Sequence, residues 1–184
     1  MRALTIPNLL SVARMALVPL FVISILDGHV DRALWVFAIA GISDALDGFI
    51  ARVWRQQSAL GLYLDPAADK LLLVCAYVVL AVPNLHSGYT IPAWISALVV
   101  TRDIVIVVVA LTLHLAAGIK RFPPSPISKL NTLVQVAAVL LVLFTGVLPH
   151  LDVVAAVAVH AVAVLTFGSG IDYIYRTNRI SLPR

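Results

Sequence analysis

Asp44, Asp47, Asp65 and Asp69 put four carboxylates into two otherwise apolar stretches, together with Gly48, Ala51, Arg52 and Gly61. Carboxylates in such surroundings are costly unless they pair or bind cations, so they point first to function. On a helix, positions three and four apart share a face. Asp44, Asp47, Gly48, Ala51 and Arg52 therefore form one stripe, and Gly61, Asp65 and Asp69 a second. A short connection between two antiparallel helices would bring the stripes together, with the small residues leaving a slot beside the carboxylates. Four ionised carboxylates repel one another, and two divalent cations would neutralise them; all-oxygen ligation suits Mg²⁺, Mn²⁺ or Ca²⁺. A paired-metal carboxylate site clamps and transfers phosphoryl groups. Arg52, at the rim of the slot, is suited to phosphate oxygens. A reading from a different class is a small intramembrane cation carrier, whose aspartates bind and release ions. Such a carrier is expected to show internal repeats or interrupted helices in matching halves, and the sequence carries neither signal.

The elements that must position these groups are read from the apolar runs. The chain's 184 residues are 61% hydrophobic and only 12% charged, with a mean hydropathy of +1.02. A soluble domain of this size could not cover so much apolar surface, which predicts an all-α membrane protein. Runs at 6–26, 33–54, 58–82, 91–117, 127–147 and 151–171 predict six transmembrane helices in one domain spanning 1–184. The first run reads as a retained span rather than a cleaved leader. Arg2, Arg52, Arg55, Lys120, Arg121, Lys129, Arg176, Arg179 and Arg184 all fall on one side of a six-span arrangement. The net charge of +4 thus reports topology rather than nucleic-acid binding, and it predicts cytoplasmic termini. The four aspartates share that side; Asp47 precedes Trp54 by seven residues, roughly 10 Å at about 1.5 Å per residue. Arginine used far more than lysine, with abundant alanine and valine, hints at a GC-rich bacterial genome, and so at a bacterial plasma membrane. Cys75 reads as a small packed residue. His29, His86 and His150 are expected in loops, and His114 and His160 as interfacial or packed side chains.

The run Asp44-x2-Asp47-Gly48-x2-Ala51-Arg52-x8-Gly61-x3-Asp65-x3-Asp69 resembles the signature of the CDP-alcohol phosphotransferases, without a departure. That resemblance implies the family's six-transmembrane-helix fold, a homodimer, and two divalent cations, Mg²⁺ or Mn²⁺, held by the four aspartates. It implies CDP in the slot of Gly48, Ala51 and Gly61, with Arg52 and Asn8 beside the nucleotide. It also implies Asp69 as general base on the acceptor hydroxyl, which attacks the phosphorus bearing diacylglycerol as CMP leaves. A hydroxyl is a poor nucleophile at neutral pH, so a positioned base suits the chemistry.

The likeness extends over nearly the whole chain. Ile6-Pro7-Asn8-Leu9-Leu10-Ser11-x2-Arg14 and Leu64-Asp65-Pro66-x2-Asp69-Lys70-Leu71 resemble the branches that make phosphatidylglycerophosphate and cardiolipin. Thr101-Arg102-Asp103 and Ile127-Ser128-Lys129-x-Asn131-Thr132-x2-Gln135 are more similar to the CMP-forming cardiolipin synthase branch. The phosphatidylglycerophosphate branch more often has a second lysine where Asn131 stands. These likenesses imply CDP-diacylglycerol as donor and phosphatidylglycerol as acceptor, with glycerol 3-phosphate the alternative acceptor. Glycerol 3-phosphate is a dianion that wants several cations around it, whereas phosphatidylglycerol carries one negative charge. Arg14, Arg102, Ser128, Lys129, Thr132 and Gln135 are the candidates for contact with the acceptor or its phosphate. Arg102 and Asp103, about 100° apart on a helix, are expected to find separate partners.

Overall fold

The computed structural model describes the backbone at 6–54, 61–117 and 126–180, and side chains at 12–44, 70–108, 126–148 and 150–172. The described residues form six α-helices and no strand: α1 Ile6–Leu26, α2 Val30–Trp54, α3 Gly61–Val79, α4 Ala93–Ala117, α5 Pro126–Thr145 and α6 Asp152–Ile180. A single 3₁₀ turn, Pro149–Leu151, leads into α6.

Five helices keep to within a few residues of the runs predicted from hydropathy; α6 departs furthest, continuing to Ile180 rather than ending at 171. Hydropathy marks where apolar surface stops, and the polar residues after 171 carry no helix breaker before Pro183. Helix α1 ends at Gly28, whose φ of 75° supplies the left-handed turn. Its N–H reaches Ile25 O at 2.9 Å and His29 N–H reaches Ser24 O at 2.8 Å, the paired bonds that close a helix C-terminus. The chain therefore reverses within three residues and lays α2 antiparallel to α1.

The core collects one face of every helix. Phe21 and Ile25 of α1 meet Ala33, Phe37 and Ala40 of α2, with the Phe21 and Phe37 rings 5.8 Å apart. Ala76 and Tyr77, Ile95 and Val99, Val139 and Leu143, and Val159 and Val162 contribute from α3 to α6. Ser96 Oγ donates to Tyr77 O at 2.8 Å, tying α4 to α3.

The outer faces are apolar as well: Val153 is 75% exposed and Val164 74%. Water would not tolerate so many large apolar side chains, whereas lipid tails would. Helix α5, Pro126–Thr145, and Asp152–Asp172 of α6 are each long and apolar enough to cross a membrane. Both observations fit a helical membrane protein. Trp94 and His160 pack edge to face at 6.3 Å on its surface, in keeping with interfacial placement. His29 and His150 are exposed, and His86 is partly covered where it meets Leu80 O.

Candidate active site

A cavity of about 110 Å³ opens between α1, α2, α3 and α5. Arg14, Gly41, Asp44, Lys70 and Thr132 supply its polar and small lining, and Phe37 and Leu73 part of its apolar wall. Arg14 is 2% exposed. A guanidinium so deeply buried needs a counter-charge, and Arg14 Nη1 lies 3.1 Å from Asp44 Oδ1. Asp44 itself remains 47% exposed at its side chain. The first residue of the aspartate motif and an expected phosphate contact are thus brought to one place.

Asp47, Gly48, Ala51 and Arg52 continue α2 beyond Asp44, while Gly61, Asp65 and Asp69 lie on α3 and Asn8 on α1. The side chains of all eight fall outside the described residues. Both segments are helical, so the three- and four-residue spacings keep each set on one stripe. Among the described residues no three metal-ligating side chains form a group. The donor chemistry nevertheless fits a hard divalent cation: Asp44 is a carboxylate, half exposed to a cavity, on the stripe it shares with Asp47.

Beside the cavity runs a buried polar network, and it corrects the expectation for Arg102 and Asp103. The two adjacent residues do pair, with Arg102 Nη1 2.8 Å from Asp103 Oδ1. The long arginine stem lets the guanidinium fold back across the 100° step, because both residues face a protein interior that offers no water. Asp103 Oδ2 also accepts from Lys70 Nζ at 2.7 Å, so one carboxylate serves cations from α3 and α4. Arg102 Nη2 donates to Ser128 Oγ at 2.6 Å, and Arg102 Nε to Ser169 Oγ at 3.0 Å. On α6, Thr166 Oγ1 donates to Asn131 Oδ1 at 3.1 Å.

Among the expected acceptor residues, the structure gathers Arg14 and Thr132 at the cavity, and Arg102 with Ser128 in the network. Lys129 is exposed and lines neither place. Gln135, seven residues after Ser128 on α5, is fully buried like Asn131; both are 0% exposed. Gln135 Oε1 and Nε2 and Asn131 Nδ2 have no hydrogen-bond partner among the described residues. Thr166, Ser169 and the central role of Asp103 were not foreseen. Thr166 and Ser169 stand three apart in an apolar helix, a polar pair on one face that the spacing displays.

All six helices contribute to this polar layer: Arg14, Asp44, Lys70, Asp103 with Arg102, Ser128 and Ser169, in order. Arg14, Asp44, Lys70, Arg102, Asp103 and Ser169 each lie about 12–17 Å from the nearer end of their helix, at about 1.5 Å per residue, whereas Ser128 lies within the first turn of α5.

The sequence pattern that defines the CDP-alcohol phosphatidyltransferases matches residues 4–167. The chain belongs to this family. The matched span contains every candidate site residue from Asn8 to Gln135. A cardiolipin synthase (CMP-forming) of Rattus norvegicus is 37% identical over 80% of this chain and 53% of its own length. A protein of the same description from Streptomyces coelicolor is 42% identical over 58% of this chain and 50% of its own. The chain thus spans about half the length of these relatives. A probable phosphatidylglycerophosphate synthase of Mycobacterium tuberculosis is 32% identical over 97% of this chain and 84% of its own.

Proposed function

We propose that this family member transfers a phosphatidyl group from CDP-diacylglycerol to phosphatidylglycerol, forming cardiolipin and releasing CMP. In this reading Asp44, Asp47, Asp65 and Asp69 hold two divalent cations, Mg²⁺ or Mn²⁺. When bound, such cations offset the charge that builds on the pyrophosphate. Gly48, Ala51 and Gly61 leave room for the cytidine nucleotide, with Arg52 and Asn8 beside it. Arg14, ion-paired with Asp44, stands at the cavity where the phosphates would arrive. Asp69 takes the proton from the acceptor hydroxyl, whose oxygen forms the new bond to the phosphorus bearing diacylglycerol. The bond from that phosphorus to the CMP oxygen breaks, and CMP departs. Six spans in a bacterial inner membrane, a cytoplasmic active site and a homodimer complete the proposal.

The observation that carries the acceptor assignment is an ion-pair arrangement. Lys70, a third exposed, and buried Arg102 share the carboxylate of Asp103, two cations on one anion, which suits one phosphodiester. Asn131, fully buried and bonded to Thr166, adds no further cation. The second reading, phosphatidylglycerophosphate synthesis from glycerol 3-phosphate, is favoured by the mycobacterial relative, which matches nearly the whole chain. Family membership supports transferase chemistry over the cation carrier.

The test is turnover of purified protein given labelled CDP-diacylglycerol, Mg²⁺ or Mn²⁺, and either acceptor, with CMP and lipid products measured. Cardiolipin from phosphatidylglycerol is expected. No CMP with either acceptor would sink the enzyme reading; product from glycerol 3-phosphate alone would sink the acceptor assignment.

A further inference from the structure

A second cavity, of about 300 Å³, lies between α4 and α6, on the side of the bundle away from α1 and α2. Val105, Phe167 and Ile171, 46–65% exposed, line its outer part, and Arg102 and Thr166, both buried, its inner part. It is an apolar groove open to the bundle's lipid-facing surface, with a guanidinium and a hydroxyl at its inner wall. Its volume sits at the lower edge of the ~300–1,000 Å³ range of ligand sites. Gly170 lines it too, and a Cβ added there would meet no atom within 4 Å. A side chain at position 170 therefore has room to enter the groove.

We infer that this groove seats an acyl chain of the phospholipid acceptor, so that its single-charged headgroup is led inward past Arg102. This rests on the proposed reaction. Three observations choose the occupant. The walls are apolar, which suits a hydrocarbon chain. The inner end meets Arg102, which Asp103 links to Lys70, two cations on one carboxylate. Cations at the inner end complement an anionic headgroup. Thr166 at the inner wall leads to Asn131, whose Nδ2 is completely buried without a partner among the described residues. A buried donor without an acceptor is costly, and a glycerol headgroup carries hydroxyl oxygens that accept. The acceptor is favoured over the donor because α4 and α6 carry none of the nucleotide motif. Lys70, at the far end of the cluster, directly follows Asp69, the residue assigned to the acceptor hydroxyl.

Two measurements on the full-length protein in nanodiscs test this. Gly170→Phe fills the groove; Gly168→Phe, equally free of neighbours but not lining it, is the control. Gly170→Phe is expected to raise KM for phosphatidylglycerol at least tenfold, leaving KM for CDP-diacylglycerol unchanged, while the control changes neither. A phosphatidylglycerol probe with a diazirine in its tail is expected to label α4 and α6 at the groove, competed by phosphatidylglycerol and not by CDP-diacylglycerol. An unchanged KM for phosphatidylglycerol, a shift confined to CDP-diacylglycerol, or even labelling of all lipid-facing helices overturns the inference. Labelling needs no turnover. Wild-type protein that labels as expected but makes no cardiolipin would overturn the proposed reaction and leave the groove standing.

Discussion

Lys70 Nζ on α3 and Asp103 Oδ2 on α4 are 2.7 Å apart across 33 positions of chain. Asp103 simultaneously holds Arg102, whose side chain is only 7% exposed. The carboxylate is thus the keystone of the polar layer, and its removal strands a buried guanidinium.

Asp103→Asn is therefore expected to destabilise the protein by about 3–5 kcal/mol, chiefly through Arg102, since Lys70 is a third exposed and can rehydrate. Chemical unfolding in detergent micelles measures this. Removing both charges with Arg102→Met and Asp103→Leu should be at least about 1 kcal/mol better than the sum of the single losses. Simple additivity would show that the two side chains are not coupled.

Arg14→Gln removes the guanidinium facing Asp44 while keeping a polar side chain of similar length. Charge-assisted hydrogen bonds are worth about 1.5–3 kcal/mol, so turnover should fall roughly 10- to 150-fold. Steady-state CMP release decides the matter, and unaltered kcat/KM would remove Arg14 from the site.

Asp69→Asn abolishes the proposed base without changing side-chain shape. Turnover should drop by about 10²–10⁴-fold, with CDP binding retained in part by the other motif residues. Wild-type turnover in this variant would refute its role.

Asn131→Lys puts a cation where the related phosphatidylglycerophosphate branch more often has one. The ratio of glycerol 3-phosphate to phosphatidylglycerol use, measured by product analysis, should rise about tenfold, equivalent to about 1.4 kcal/mol. A ratio that does not move would show that position 131 does not select the acceptor.

Gly88→Ala tests the fold away from the chemistry. Gly88 has φ 99°, and an added Cβ would lie 2.5 Å from Thr145 Oγ1 and 2.6 Å from Gly146 N. That threonine caps the end of α5 and accepts Tyr89 N–H at 2.8 Å. A loss of about 1–3 kcal/mol is expected in unfolding measurements, with KM for either substrate unaltered.

The sequence was legible where periodicity and chemistry coincide. The aspartate stripes follow from spacing alone, and the helix runs from apolar length. What spacing could not show is how each helix is rotated against its neighbours. In lipid the outward faces are as apolar as the inward ones, so no contrast in hydropathy marks the inner side. Ser128, Asn131 and Gln135 share one side of α5, and only the packed structure shows that Asn131 and Gln135 are fully buried while Ser128 stays partly exposed. The Arg102–Asp103 pair was missed for a different reason. An angle between Cβ directions says little about a side chain long enough to bend back.

The adjacency of Arg102 and Asp103 also bears on how the chain is assembled. An isolated charge at the centre of an inserting helix opposes partition by about 2.5–3.5 kcal/mol on biological insertion scales. With its own counter-ion next door, α4 is neutral by itself over Ala93–Ala117 and needs no partner helix to balance Arg102. Lys70, 33 positions before Asp103, is the charge that needs α4, through the carboxylate oxygen that Arg102 leaves spare.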